Sequence, residues 1–417
     1  MITLTYQYKL KPTKTQVQEI DHFLDVCKSV FNYALKERKD WFNSRKSLAD
    51  RCSLIKEYII PADVPYPGYN NQAKALTQAK KTIRSTKLLH FQVLQQTLKQ
   101  LDRAFTDMKA KGHGFPRFKK KMRSFVFPAM LKNCLGDNKM KLPKLGWVKI
   151  IQSRPYPTGF EPKQARIVKK ASGYYLMITF QSEENIPETP VGKKSIGLDA
   201  GIESFIATSQ NELIKAPKFL RDNLRKLKLL QRRLKNKIKG SNSWLKLQNR
   251  IAKQEEKIAN TRKDWHFKLA HRICDQTDNV FVEDINFKAW SRGIVRKASL
   301  DSGIGQFINE ILPFVCGQLG KFYLKVDKDY TSQECPKCGH KTGKKQLSER
   351  VHKCQHCGYE QHRDVAAAEV IENRGKTAVG HTVEEKACGV GLAGYSCENG
   401  STSSEAVIHE SPVIPQG

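Results

Sequence analysis

Two cysteine pairs restrict the folding of this chain more than any other feature in it. Cys335-Pro336-Lys337-Cys338-Gly339 and Cys354-Gln355-His356-Cys357-Gly358 are C-x-x-C knuckles with 15 residues between them, the spacing of a four-thiolate zinc ribbon. A segment so short and polar has no core of its own, so tetrahedral ligation must supply its folding energy. The glycine after each pair lets the backbone turn its amide hydrogens toward the sulfurs. Four protein ligands leave no open coordination position, so the expected Zn2+ is structural. A redox C-x-x-C pair and incidental structural cysteines are the competing readings, and His340, His352 and His356 are competing ligands. The remaining seven cysteines (Cys27, Cys52, Cys134, Cys274, Cys316, Cys388 and Cys397) follow no pattern and read as packing residues rather than a disulfide framework.

The chain has 417 residues, too many for one compact core, so two or three domains are expected. Its 73 Lys and Arg outweigh 41 Asp and Glu, a formal net charge of +32 that calls for a polyanionic partner. Nucleic acid explains this better than a membrane, because no apolar run reaches the roughly 18 to 20 residues that span a bilayer. Met1-Ile2-Thr3-Leu4-Thr5-Tyr6-Gln7-Tyr8 alternates like an edge strand and lacks the features of an export signal. The expected compartment is therefore intracellular.

Thr13 to Phe42 reads as a helix capped by Thr13, with Val17, Ile20, Leu24, Val26, Val30 and Tyr33 near a 3.6-residue period. The breaker-rich stretch from Pro61 to Tyr69 ends it. A second helical region from Gln72 to Met108 carries the stripe Leu88, Phe91, Leu94, Leu98, Leu101 and Phe105. In the loop after it, Phe115-Pro116-Arg117-Phe118-Lys119-Lys120-Lys121 alternates aromatic and cationic side chains, which suits base stacking with phosphate binding, or else a solvated charge run. Short alternating runs from Ser124 to Phe180 predict an antiparallel sheet or small barrel, and Glu183 to Lys194 a linker. From Phe219 to Asp275 the pattern is a basic helical hairpin, with stripes Leu224, Leu227, Leu234, Ile238 and Leu247, Ile251, Ile258 about a turn at Gly240-Ser241-Asn242-Ser243. Beyond Gly380 the tail lacks periodicity and is expected to be disordered.

Three acids complete the pattern. Ser195-Ile196-Gly197-Leu198-Asp199 and Val280-Phe281-Val282-Glu283 are apolar strands that each end in a carboxylate, and strand carboxyl ends are where open α/β sheets place their chemistry. Asp364 stands at the start of an alanine-rich helix, where it could equally be a cap, just as Asp199 could be a turn residue. Asp284 should point to the opposite face from Glu283.

In this order, around the cysteine pairs, the acids resemble the RuvC-type nuclease core of TnpB proteins, transposon-encoded relatives of type V CRISPR effectors. Tyr8-Lys9-Leu10-Lys11-Pro12-Thr13, Phe31-Asn32-Tyr33-Ala34-Leu35, Gly114-Phe115-Pro116-Arg117-Phe118 and Tyr330-Thr331-Ser332-Gln333 extend the likeness over most of the chain. The fold class so implied is α/β and β multidomain. A wedge-type β-barrel (1–11 and 123–190) would be interrupted by a helical recognition insert (12–122). An RNase H-like (RuvC) domain (191–332 and 361–380) would follow, with the zinc ribbon (333–360) inserted and a tail at 381–417.

The resemblance also implies an RNA-guided DNA endonuclease. Asp199, Glu283 and Asp364 would be its catalytic ligands for two Mg2+ ions, and Cys335, Cys338, Cys354 and Cys357 its ligands for Zn2+. Guide RNA and double- and single-stranded target DNA would be its partners in a prokaryotic cytosol, near the nucleoid. Arg117, Lys119, Lys120, Lys121 and Arg363 are the candidate nucleic-acid contacts. His362, Ala366 and Val370 depart from the family, which usually has Asp, Asn and Asn there. A cleavage-deficient guided repressor, a transposase or accessory protein, and an unguided structure-selective nuclease are the alternatives.

Overall fold

The computed structural model describes residues 2–45, 60–61, 63–130, 133–183, 191–290, 292–293, 295–346 and 348–387. They form two compact units, one up to Asn185 and one from Ile186 onward.

The first unit is built on a seven-stranded antiparallel sheet. Strand β1 (Ile2–Lys11) leads into helix α1 (Lys14–Ser44), then helices α2 (Tyr69–Thr82) and α3 (Phe91–Lys111). Six strands follow: β2 (Ser124–Phe127), β3 (Leu135–Gly136), β4 (Lys139–Leu142), β5 (Gly146–Ile151), β6 (Glu161–Lys170) and β7 (Gly173–Ser182). The order is β2-β6-β7-β1-β5-β4-β3, so the first strand lies inside the sheet, paired through Tyr8↔Leu176 and Leu10↔Ile150. Tyr8, Leu10, Ile167, Leu176, Ile178 and Phe180 turn to one face and share a core with Ile20, Phe23, Leu24 of α1 and Leu94, Leu98, Leu101 of α3.

Local rules account for these helices. Thr13 caps α1 in a reciprocal box with Gln16, as its sequence position predicts. The stretch from Gln72 to Met108 is not one helix, because Ile83 takes an extended conformation and ends α2. Leu88, expected in the apolar stripe, is 53% exposed in the connection, and the stripe begins only at Phe91. The wholly buried Arg38 of α1 joins the three helices: its Nε donates to Gln72 Oε1 at 3.0 Å and its Nη2 lies 3.0 Å from Asp102 Oδ1.

The second unit carries a five-stranded mixed sheet. Its strands are β8 (Ser195–Asp199), β9 (Ile206–Thr208), β10 (Leu213–Ile214), β11 (Asn279–Glu283) and β12 (Phe322–Val326), in the order β10-β9-β8-β11-β12. The first three form an antiparallel meander, while β8, β11 and β12 run parallel. Between β10 and β11 rises the helical hairpin, α4 (Phe219–Lys235) and α5 (Asn242–Gln276), and between β11 and β12 lie α6 (Arg296–Ser302) and α7 (Leu312–Gln318). The ribbon hairpin, β13 (Val351–Lys353) with β14 (Glu360–His362), leads into α8 (Arg363–Ala387). The helix passes the boundary expected at residue 380, and residues 388–417 lie outside the described residues, as do 184–190 of the expected linker.

The central strands are buried on both faces, which explains their nearly continuous apolar sequence. Ile196, Leu198, Val280 and Val282 face α5 and the helices from residue 304 to 318, whereas Phe281 faces Ile371 and Val379 of α8. The hairpin seam is shorter than its leucine pattern suggests. Leu227 and Ile258 are buried, but Leu224 is exposed and Ile238 is 83% exposed, because α4 ends at Lys235 and leaves Ile238 in the turn. Cys27, Cys134, Cys274 and Cys316 are buried and free, as packing residues should be, while Cys52, Cys388 and Cys397 lie outside the described residues.

Candidate functional site

Strand parity places the two strand-end acids. Successive side chains alternate across a strand, so Asp199 shares the face of Gly197, and Glu283 that of Phe281. Both faces are covered by α8. A Cβ on Gly197 would lie 2.0 Å from the Ala368 carbonyl oxygen, and one on Gly375 would lie 2.2 Å from the Phe281 ring. Asp199 lies two residues beyond Gly197, about 6.6 Å along a strand. Asp364 lies one turn before Ala368, about 6 Å along a helix. Asp199 and Glu283 therefore face α8 at the carboxyl edge of β8 and β11, and Asp364 lies in the first turn of that helix.

Their charges reach one another. Burial, then the carboxylates of Glu283 and Asp364, hold the Asp199 pKa well above the usual carboxylate range, against the opposing pull of Arg363. Burial also raises Glu283, opposed by a hydrogen bond from Thr331 and the charge of Arg374. Asp284 turns away, is exposed, and pairs with Lys325 at 3.4 Å, as parity predicts. Three hard-oxygen groups, the half-buried and charge-crowded Asp199 among them, suit a divalent cation such as Mg2+. Among the described residues, however, only the cysteine quartet brings three or more such side chains within 4.8 Å of one another, so the carboxylates stand further apart than the thiols.

A residue outside the three acids also reaches this edge. Thr331 is buried, donates its hydroxyl to Glu283 Oε1, and lies in the loop between β12 and the first cysteine pair. Tyr330 before it adopts φ +62°, a costly conformation for a large residue, and the chain turns there. Arg374 of α8 straps the same loop, donating to the Asp327 carbonyl at 2.8 Å and to Glu334 Oε2 at 2.7 Å. The motif Tyr330-Thr331-Ser332-Gln333 was visible in the sequence, but nothing in it pointed to Glu283, which lies 48 positions away.

The four cysteine sulfurs lie within 4.8 Å of one another, with Cys335 3.6 Å from Cys357 and Cys338 3.7 Å from Cys354. Gly339 and Gly358 take φ +71° and +72°, the left-handed turns expected of them. Burial opposes the Cys354 thiolate, but the amide hydrogens of Cys357 and His356 and the neighbouring thiols outweigh it and bring its pKa down to about 6. This set fits a structural zinc. His340 and His356 stack on each other at 5.2 Å, and His352 Nδ1 contacts Lys345.

The candidate nucleic-acid contacts divide. Arg117, Lys120 and Lys121 are exposed. Lys119 is half-buried, its ammonium 3.9 Å from the centre of the Phe31 ring and 3.0 Å from Gln100 Oε1, and burial lowers its pKa. Phe115 packs edge-on against Phe42 and Phe105, which leaves Phe118 the more open ring of the loop. Arg363 donates to the Gln346 carbonyl at 3.1 Å, and the Asp364 amide donates to His362 Nδ1 at 3.3 Å. Ala366 and Val370 are buried.

Comparison with known proteins matches three parts of the chain. Residues 1–47 match a helix-turn-helix domain model, HTH_OrfB_IS605. Residues 178–292 match OrfB_IS605, described as "Probable transposase", and residues 306–371 match the Cas12f1-like TNB domain. InsQ of Escherichia coli (strain K12), by name a candidate RNA-guided DNA endonuclease, is 29% identical over 92% of this chain and 93% of its own. A Streptomyces pristinaespiralis protein of the same description is 27% identical over 93% and 91%. The solved mini-RNA-guided endonuclease CRISPR-Cas_phi3 aligns over 91% of this chain and 92% of its own, with 10% identity and a TM-score of 0.42.

Proposed function

This chain belongs to the TnpB family, and from that premise we propose that it is an RNA-guided DNA endonuclease of the RuvC type. The observation that carries the reading is the position of half-buried Asp199 at the carboxyl edge of β8, where desolvation and the charges of Glu283 and Asp364 raise its pKa. A site that concentrates negative charge away from water is costly unless a cation shares it.

Asp199, Glu283 and Asp364 would together hold a magnesium pair, Asp199 serving both ions and Glu283 and Asp364 one each. When bound, such a pair lowers the pKa of an attacking water and stabilises the leaving oxygen of a phosphodiester. Thr331 holds one oxygen of Glu283, and Arg363 supplies positive charge beside Asp199. The antiparallel meander β10-β9-β8 flanked by parallel β11 and β12 supports an RNase H-like domain over 191–332 and 361–380. The first unit's antiparallel sheet, split after β1 by a helical segment, supports a wedge-type barrel with a recognition insert over 12–122.

The net charge of +32 suits a large RNA cargo that pairs with one strand of target DNA while the protein reads a short flanking motif. No helix among the described residues is long and apolar enough to cross a membrane. The test uses protein co-expressed with its guide RNA, on a matched double-stranded target with Mg2+. Cleavage by the wild type and none by Asp199→Ala is expected. Equal cleavage by both would overturn the metal site, and absence of any defined copurifying RNA would overturn the guided reading.

A further inference from the structure

Outside the ribbon, two sulfurs of the second unit touch in its core. Cys274 lies two residues before Gln276, the last of α5, and Cys316 two residues before Gln318, the last of α7. Both are wholly buried, and their Sγ atoms stand 3.5 Å apart in hydrogen-bond contact although 42 positions separate them. The segments that follow run side by side. Lys321 Nζ pairs with Asp278 Oδ1 at 3.1 Å, the Phe322 amide donates to the Asp278 carbonyl at 2.8 Å, and Asn279 and Phe322 are partners where β11 and β12 begin. The two thiols are thus held at the amino ends of adjacent parallel strands, the opposite edge from Glu283.

We propose that Cys274 and Cys316 are a site of reversible oxidation, at which a peroxide joins them in a disulfide that ties α5 to α7. Packing alone does not call for sulfur against sulfur: Cys27 and Cys134 are also buried and make no sulfur contact among the described residues. A metal does not suit the pair, because among the described residues only the ribbon cysteines gather three or more ligating groups. The chemistry left to the pair is between its own thiols. The hydrogen bond from Cys316 and the charge of Lys321 lower the Cys274 pKa against burial, which makes Cys274 the attacking sulfur.

Its thiolate attacks one peroxide oxygen and becomes a sulfenic acid, while the departing hydroxide takes up the thiol proton as water. The Cys316 sulfur then displaces the sulfenic hydroxyl, which leaves with the Cys316 proton as a second water. The two thiols lose two electrons and the peroxide gains them. To reach bonding distance the sulfurs close by about 1.5 Å. Asp275, Gln276, Gly317 and Gln318 are exposed, so opening the last turn of either helix admits a small oxidant.

The test exposes full-length, zinc-loaded protein to hydrogen peroxide, removes the excess with catalase and captures free thiols with N-ethylmaleimide. Digestion should give a peptide pair joined at Cys274 and Cys316, separable by reduction, at peroxide doses that leave zinc bound. The melting temperature of the oxidised protein should rise by roughly 5–10 °C, since the bond spans 42 positions. Cys316→Ala should strand Cys274 as a sulfenic acid that dimedone labels, and Cys274→Ala should leave Cys316 unlabelled. Recovery of both cysteines as maleimide adducts, their joining to other cysteines, their joining only in urea-unfolded protein, or zinc release at lower doses would each overturn the site. An unchanged melting temperature would overturn the tie between the helices. Nucleic acid plays no part in these readouts, so the result stands apart from the nuclease reading.

Discussion

The hydroxyl of Thr331 donates to the carboxylate of Glu283, so the loop that leads into the cysteine ribbon reaches the edge of the central sheet. Thr331 is buried, and its removal would leave a Glu283 oxygen without this donor. Losing a hydrogen bond to a charged group costs about 1.5–3 kcal/mol, so Thr331→Val should slow single-turnover cleavage by roughly 10- to 100-fold. Thr331→Ser should restore most of the rate. Comparable slowing in both variants would remove the hydroxyl from the account.

Asp199 also bears on stability. Its folded pKa is raised, so the folded state holds the proton more tightly than the unfolded chain, whose value is near 3.8. Stability of the metal-free protein therefore falls as pH climbs from there through the folded pKa. Asp199→Asn removes that loss, so it should raise the melting temperature of magnesium-free, zinc-loaded protein at pH 7. The advantage should shrink toward pH 4 while cleavage is absent throughout. Calorimetry across this range checks the sign.

One zinc per chain should be found by native mass spectrometry. Because the short ribbon draws its folding energy from four thiolates, Cys338→Ser should release the ion and increase amide exchange in β13 and β14. Retention of full zinc content by this variant would point to a histidine ligand such as His340.

Gly197 has no room for a side chain, since its Cβ would lie 2.0 Å from the Ala368 carbonyl oxygen on the α8 backbone. Gly197→Ala must push the helix off the sheet and should cost about 1–3 kcal/mol or more, moving Asp364 relative to Asp199. Denaturant unfolding measures the loss, and cleavage should fall with it. Gly317→Ala, where a Cβ meets nothing within 4 Å inside α7, should be neutral or slightly stabilising.

Neighbouring lysines should behave differently. Lys120→Glu should weaken RNA binding and flatten its salt dependence with little change in stability, because Lys120 is exposed. Lys119→Ala should instead destabilise the protein, because its ammonium packs on Phe31 and bonds Gln100. Filter binding and thermal melts on the two variants separate these outcomes.

What could be read from the chain alone was local chemistry. The C-x-x-C-G knuckles fold by ligand spacing and glycine turns, Thr13 caps α1 through a residue three positions away, and strand parity separates Glu283 from Asp284. Each depends on neighbours within a few residues, so the chain order contains the information. Exposure was less legible. Leu88, Leu224 and Ile238 fit helical stripes, yet a stripe records only that a face is apolar, while helix ends and available partners decide whether it is covered.

The sequence by itself determined the ligand set for zinc, the acids at the strand ends and the excess of positive charge that requires a polyanion. Only the tertiary structure decided that α8 lies against β8 closely enough for Asp364 to act on Asp199, that Thr331 reaches Glu283, and that Lys119 turns inward. These relationships join segments far apart in the chain. They depend on packing constraints such as the missing Cβ of Gly197, whose effect exists only once the opposing backbone is in place.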